Sequence, residues 1–270
     1  MPGNVLFVTS KDGTKIFAEA KGDPLNPCIV FAHGLSTGSG CFNNIFADPL
    51  WTDDVFLARY DIRGHGMSPV NTDDSMLWES SRFAEDFDAV ISHFGVTQPF
   101  LAGWSMGASI AADILTVHDP SYLAGLIFLA PQPYIGYQDI VRPEAVAFLP
   151  GLTGSTDVGL FKSTATAFVD PFTCKPMDYS TCFTIMGAML SQPGEAVVKA
   201  MSRPQDANIL FEVAAKTLPL LLLLGKEDKV MRSEKLEQDF GENWLDAEIE
   251  VLEAGHAMFL DSHDDVRQTI

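Results

Sequence analysis

The sequence predicts an α/β fold with a mostly parallel central sheet, helices on both faces and a helical cap insertion. Short apolar runs, typical of strands that are covered on both faces, alternate with longer segments of helical spacing. Strands that alternate with helices imply right-handed crossovers and therefore parallel strands. One long segment breaks the alternation late in the chain, and this segment predicts the insertion.

The strands are justified in chain order by their apolar runs and by the turn residues between them. Residues 4–8 and 15–19 predict a hairpin, because the turn residues 11–14 separate them. Parallel strands are then expected at residues 28–32, 55–60, 100–103, 125–130, 218–224 and 248–252.

Four segments between these runs have helical spacing. They are residues 40–47, 78–94, 106–117 and 233–240. In the second, the apolar side chains recur at intervals of three and four residues and so share one face, whereas the acidic ones lie elsewhere. In open α/β sheets, ligands bind beyond the carboxyl ends of the strands, so the residues just after each apolar run are the candidates for a site.

The segment 131–216 is too long for a simple crossover, and a structureless loop of that length is improbable in a compact domain. It contains nine aromatic residues and four methionines. We therefore expect a core of residues 1–130 and 217–270 and a helical cap of residues 131–216 over the active site. Most of the aromatic side chains should pack the cap onto the core, and the rest could line an apolar pocket.

Composition excludes several classes of partner. The chain has 17 Lys plus Arg against 36 Asp plus Glu, a net charge of −19, which disfavours nucleic acids and anionic lipid. The longest apolar run, residues 218–224, is far shorter than the roughly 20 residues of a membrane-spanning helix. The first residues lack the features of a secretory signal. We expect a cytoplasmic protein, a monomer or homodimer, that binds neither nucleic acid nor membrane.

No metal or organic cofactor is expected. The histidines form no helical His pair, and no glycine-rich dinucleotide motif follows a strand. The four cysteines have no C-x-x-C spacing, and reduced thiols suit a cytosolic protein. A bridge between Cys174 and Cys182 is left open.

A strand that runs into Gly103-Trp104-Ser105-Met106-Gly107 and then into a helix predicts a nucleophile. So tight a reversal strains the backbone of Ser105, and the two flanking glycines remove Cβ atoms that would clash. The hydroxyl then stands at a helix N-terminus, which favours developing negative charge. The alternative is a serine N-cap beside a chance pair of glycines.

A serine nucleophile needs a base and an acid that orients the base. His256 directly follows the last strand and is the predicted base, with His263 as the alternative at the start of a surface helix. Asp228, just after the strand 218–224, is the predicted acid, and Glu227 is its near competitor. The order Ser, Asp, His is that of α/β-hydrolases.

Acyl transfer also needs amides aimed at the oxyanion. The amide that follows the nucleophile belongs to Met106, and the loop after the strand 28–32 offers that of Leu35. His33 is expected to brace this loop rather than to react. His33 and Trp104 are predicted to border the bound substrate.

These motifs together resemble the α/β-hydrolase fold, in particular its single-domain esterases, lactonases and cofactor-free haloperoxidases. The resemblance covers nearly the whole chain through His33-Gly34, the D-I-R-G-H-G-M-S segment 61–68, Gly103–Gly107, residues 225–228 and Gly255-His256. It implies a structural role for His65. A missing H-G-G-G run disfavours the hormone-sensitive-lipase branch, and serine at the elbow disfavours epoxide hydrolases and dehalogenases. With only 14 residues after His256, the final helix should be short.

The predicted function is hydrolysis of a carboxylic ester or lactone of a small to medium apolar substrate through an acyl-enzyme. Cleavage of a C–C bond and perhydrolysis on the same triad are alternatives within enzymes. A slow-turnover receptor for a small lactone is the alternative from another class.

Overall fold

An eight-stranded sheet forms the centre of the computed structural model, which describes residues 6–154 and 156–270. Asn4 and Val5 of the predicted first strand and Ser155 of the predicted cap lie outside the described residues. The strands are β1 (Leu6–Thr9), β2 (Lys15–Lys21), β3 (Cys28–Ala32), β4 (Phe56–Tyr60), β5 (Phe100–Trp104), β6 (Gly125–Leu129), β7 (Leu220–Gly225) and β8 (Ala247–Leu252).

The strand order is β1-β2-β4-β3-β5-β6-β7-β8. The pairs β1–β2 and β2–β4 are antiparallel, and every other pair is parallel. The predicted hairpin and mostly parallel sheet are therefore confirmed. Strand β7 begins at Leu220 rather than at residue 218, because the Leu218 amide donates to the Ala214 carbonyl of the preceding turn.

Twelve α-helices are present among the described residues. They are α1 (Asn43–Ala47), α2 (Pro49–Thr52), α3 (Ser80–Phe94), α4 (Ile110–Val117), α5 (Pro143–Val146), α6 (Leu149–Thr153), α7 (Val158–Val169), α8 (Tyr179–Ser191), α9 (Gly194–Ser202), α10 (Ser233–Asn243), α11 (Met258–Asp261) and α12 (His263–Thr269). The predicted helix 106–117 begins instead as a 3₁₀ turn, Ser105–Ser109, before α4.

The helices cover both faces of the sheet. Helix α3 packs on α4, and Phe240 of α10 packs against Phe128 of β6. Helix α1 contacts α11 through the hydrogen bond from Asn44 to the Phe259 carbonyl, and α2 contacts α12 through the rings of Trp51 and His263. The last helix, α12, has seven residues.

The segment between β6 and β7 contains α5 to α9, which is the helical content predicted for a cap. Its helix α8 approaches the loop after β3 through small residues: a Cβ on Gly38 would lie 3.3 Å from the Ala188 Cβ, and one on Gly40 would lie 2.9 Å from Thr184 Cγ2. Its role as a separate cap over the site stays a prediction.

Two further observations bear on the sequence predictions. Within the described ranges, no helix combines the length and apolarity that crossing a bilayer requires. All four cysteines are free, so Cys174 and Cys182 are not bridged.

Candidate active site

The carboxyl ends of five neighbouring parallel strands, β3, β5, β6, β7 and β8, meet at one edge of the sheet. The residues predicted for the site follow four of them: Leu35 follows β3, Ser105 follows β5, Asp228 follows β7 and His256 follows β8. This common edge brings together side chains that are far apart along the chain.

Ser105 occupies the left-handed backbone region, with φ of 53°. The turn is so tight that a Cβ on Gly107 would lie 2.1 Å from the Ala32 carbonyl oxygen, and one on Gly103 would lie 2.4 Å from the Ala108 Cα. Both contacts involve backbone atoms, which cannot move aside cheaply. The glycines at these two positions are therefore a steric requirement of the elbow, as the sequence predicts.

The position of Ser105 is held from both neighbouring strands. Its carbonyl accepts a hydrogen bond of 2.9 Å from the Gln132 amide, just after β6. On the other side, a Cβ on Gly34 would lie 3.2 Å from the Ser105 Cβ. Ser105 is 7% exposed.

The imidazole of His256 hydrogen-bonds through Nδ1 to Asp228 Oδ2 at 2.9 Å, and both side chains are buried. A carboxylate oxygen accepts, so Nδ1 donates in this hydrogen bond, and in a neutral imidazole this tautomer has its lone pair on Nε2. Asp228 Oδ1 accepts from the amides of Val230 and Met231 at 2.7 and 2.8 Å. The carboxylate is therefore fixed in orientation, and it fixes the tautomer of His256.

The loops that carry Asp228 and His256 meet closely because of two glycines. A Cβ on Gly225 would lie 2.1 Å from the Gly255 carbonyl oxygen. The inserted segment braces the His256 loop, since the Ala257 amide donates to the Phe172 carbonyl at 2.7 Å.

No hydrogen bond joins Ser105 Oγ to His256 among the residues that the structure describes. Such contacts are often long in a free enzyme and tighten when substrate binds. The two residues are nevertheless linked through Trp104, whose indole Nε1 donates to the His256 carbonyl at 3.0 Å.

The alternatives to Asp228 as the acid and to His256 as the base have different surroundings. Glu227 is exposed, whereas Asp228 is buried. His263 hydrogen-bonds to Asp48 at 3.0 Å and contacts Asn44, on the helices at one face of the sheet.

Of the two amides predicted for the oxyanion, that of Met106 belongs to the elbow and that of Leu35 to the loop after β3. Among the described residues, the Leu35 amide donates to no acceptor of the protein. Met106 is the second residue of the 3₁₀ turn, and the first amides of a helix have no acceptor within it.

His33 and Trp104, the two residues predicted to border the substrate, are both buried. His33 is fully buried: its Nδ1 donates to the Gly34 carbonyl at 2.8 Å, and its Nε2 accepts from the Ile62 amide at 3.0 Å. Both nitrogens are thus occupied, and burial lowers the pKa of this imidazole. Trp104 is 1% exposed and packs edge-on against Phe172. Both side chains are buried in the free protein, and their contact with a substrate stays a prediction.

The segment 61–68 forms a buried polar network that the sequence does not reveal. Asp61 accepts from the Ser39 amide and hydroxyl and from the Met67 amide, each at 2.7 Å. Arg63 pairs with Asp86 through two hydrogen bonds of 2.7 and 2.6 Å. Asp86 lies 23 residues along the chain, and neither its position nor its type marks it as a partner.

His65 is 1% exposed, and its ring lies 5.1 Å from that of His33. Burial lowers the pKa of His65 to about 3, and the neighbouring His33 acts in the same direction. The imidazole is therefore neutral at physiological pH. Its burial is in keeping with the structural role that the resemblance implies.

A cavity of about 760 Å³ opens between the core and the inserted segment beside Asp228. Phe148, Thr173 and Cys174 line it, together with the charged side chains of Arg142 and Lys229. Its lining includes neither Ser105 nor His256. The described residues contain no cluster of three or more side chains that could hold a metal ion.

A family model described as "Alpha/beta hydrolase family" matches residues 29–269. The esterase RhEst1 from Rhodococcus sp. ECU1013 has a similar structure, with a TM-score of 0.84, 24% identity and coverage of 98% of this chain and 96% of that one. At this identity the similarity shows the fold.

Among curated proteins, "Bifunctional esterase/perhydrolase DCH" of Acinetobacter calcoaceticus is 23% identical over 243 residues, 83% of each chain. "Probable oxidoreductase EphD" of Mycobacterium tuberculosis (strain ATCC 25618 / H37Rv) is 34% identical over 93 residues, which are 34% of this chain but only 15% of that protein. The chain therefore corresponds to a small part of EphD, whereas it matches most of DCH.

Proposed function

The chain belongs to the alpha/beta hydrolase family, and from this premise we propose that it is a serine hydrolase that cleaves a carboxylic ester or lactone. The observation that carries the proposal is the strained Ser105 at the sheet edge that also holds the His256–Asp228 pair. The cytoplasmic location of the protein stays a prediction.

The chemistry follows from the hydrogen-bond directions. Ser105 Oγ attacks the carbonyl carbon while its proton passes to His256 Nε2, whose lone pair is free because Nδ1 donates to Asp228. The Leu35 and Met106 amides receive the oxyanion. His256 then returns the proton to the leaving oxygen, and an acyl-enzyme remains.

Hydrolysis completes the cycle. His256 takes a proton from water, the hydroxide attacks the acyl carbon, and the proton returns to Ser105 Oγ as the acid leaves. Asp228 keeps His256 oriented, because one of its oxygens accepts from two backbone amides while the other accepts from His256.

The test is Ser105→Ala with para-nitrophenyl acetate as substrate. We expect turnover to fall by at least about a thousandfold, since removal of a triad nucleophile has larger effects still in other serine hydrolases. Ser163→Ala, at an exposed serine of α7, is the matched control and should keep full activity. Retention of turnover in Ser105→Ala would refute the proposal.

A fluorophosphonate tests whether Ser105 is an activated nucleophile, whereas repeated turnover of para-nitrophenyl acetate separates an enzyme from a receptor that merely retains a triad. Mass spectrometry of the labelled protein should find one adduct, on Ser105.

Perhydrolysis is a second candidate, favoured by the similarity to the esterase/perhydrolase DCH. This activity is measured as the formation of peracid from acetate esters and hydrogen peroxide. We expect it to be lost in Ser105→Ala.

A further inference from the structure

Two buried polar side chains near Ser105 have no hydrogen-bond partner among the described residues. Gln132 is 3% exposed, and its Nε2 makes no hydrogen bond. Ser36 is 2% exposed, and its Oγ likewise makes none. Burial of a polar group without a partner costs free energy, so each such group calls for an explanation.

The position of these two groups distinguishes them from the other unpartnered polar atoms. Strands β3 and β6 are the two neighbours of β5 in the sheet. Ser36 comes shortly after β3 and Gln132 shortly after β6, so they flank Ser105, which directly follows β5. Other unpartnered atoms, such as Trp51 Nε1 and Tyr60 Oη, belong to α2 and to the end of β4.

The backbone ties both residues to the elbow. The Gln132 amide donates to the Ser105 carbonyl at 2.9 Å. Ser36 adjoins Leu35, one of the two proposed oxyanion donors, and its φ of 54° places it in the left-handed region. Both residues therefore lie at the sheet edge that carries Ser105, one after each of the two strands beside β5.

On the basis of the proposed function, we infer that Gln132, together with Ser36, hydrogen-bonds a polar group of the substrate close to the scissile carbonyl. A carboxamide N–H donates to an ether or hydroxyl oxygen, and a serine hydroxyl donates or accepts. The substrate class is an ester or lactone with an alkoxy or hydroxy group within a few bonds of the carbonyl. This class is more polar than the apolar one that the sequence predicts.

The experiment compares isosteric substrates in which one oxygen replaces one methylene. For the acyl side, the pair is para-nitrophenyl methoxyacetate and para-nitrophenyl butyrate. For the alcohol side, the pair is methoxyethyl acetate and butyl acetate, followed by titration of the acid released. The ratio of kcat/KM within a pair, compared between variants, cancels the intrinsic reactivity of the esters.

We expect Gln132→Met to lower the ether-to-methylene ratio about tenfold in at least one pair, the usual effect of one hydrogen bond. The butyrate or butyl reaction is the internal reference within each pair. Gln192→Met is the matched control, because Gln192 is also buried with an unpartnered amide but ends α8 in the inserted segment. Its ratios should not change.

Unchanged ratios in both pairs, or an equal loss on both members of a pair, would overturn the inference and leave a structural role for Gln132. Should Gln132→Met fail to fold, Ser36→Ala carries the same test with the same criteria. A wild-type protein that cleaves none of the four esters would instead refute the proposed function, so the two failures are distinguishable.

Discussion

Arg203 and Asp113 form a fully buried ion pair with an Nη2–Oδ2 distance of 2.9 Å. Arg203 lies in the segment between β6 and β7, and Asp113 lies on α4, which continues from the turn of Ser105. Arg203 Nη2 also donates to Ser109 Oγ, which donates to the Met106 carbonyl. Hydrogen bonds therefore connect the inserted segment with the elbow.

Loss of this pair should destabilise the fold. Arg203→Met leaves the Asp113 carboxylate buried without its cation, which costs about 3 to 5 kcal/mol in other proteins. The free energy of unfolding in urea measures the effect. Lys226→Met is the control, since Lys226 pairs with Glu253 in solvent and such pairs contribute little. A loss in Arg203→Met no larger than in the control would contradict this prediction.

Asp228→Asn should abolish most activity without loss of the fold. The amides of Val230 and Met231 hold the side-chain oxygen, so the new NH₂ group faces His256 Nδ1 and forces its proton onto Nε2. That tautomer cannot accept the Ser105 proton. We expect kcat to fall about 10⁴-fold, as for the equivalent change in a serine protease. Near-normal kcat in a folded variant would exclude Asp228 as the orienting acid, and Glu227→Gln is the control.

Gly107→Ala should disrupt the elbow, because the new Cβ would lie 2.1 Å from the Ala32 carbonyl oxygen. We expect loss of esterase activity together with a lowered Tm. Gly187→Ala is the matched change: a Cβ there meets nothing within 4 Å, inside helix α8. It should keep activity and raise stability by up to about 1 kcal/mol, the difference in helix propensity. Equal effects of the two substitutions would disprove the steric account.

The burial of His65 should lower the free energy of unfolding at acid pH. Its pKa is lowered to about 3 in the folded state, whereas in the unfolded chain it is about 6.5. Between these values the unfolded chain binds a proton that the folded protein does not, so the free energy of unfolding decreases as pH falls. Above about pH 6.5 the contribution is complete.

The measurement is the slope of unfolding free energy against pH between about 6 and 4. His65→Gln should reduce this slope by up to about 1.4 kcal/mol per pH unit. His93→Gln, at an exposed position of α3, should keep the wild-type slope. The same slope in all three proteins would show that His65 does not contribute.

The sequence by itself determined the strand positions, the mostly parallel sheet and the elbow. These features depend on neighbours within a few residues. The apolar runs record burial on both faces, and the spacing of Gly103 and Gly107 around Ser105 records a local steric requirement. The candidate set Ser105, Asp228 and His256 followed from a topological rule, that ligands bind where parallel strands end.

Only the tertiary structure decided which polar groups are occupied and which are free. His33 is buried, and its Nε2 accepts a hydrogen bond from the amide of Ile62, 29 residues away. Arg203 pairs with Asp113 across 90 residues, and the side-chain Nε2 of Gln132 has no acceptor among the residues that the structure describes. Hydrogen-bond partners that are remote in the chain leave no periodic trace in the sequence, because pairing depends on where the packed strands and helices place each side chain.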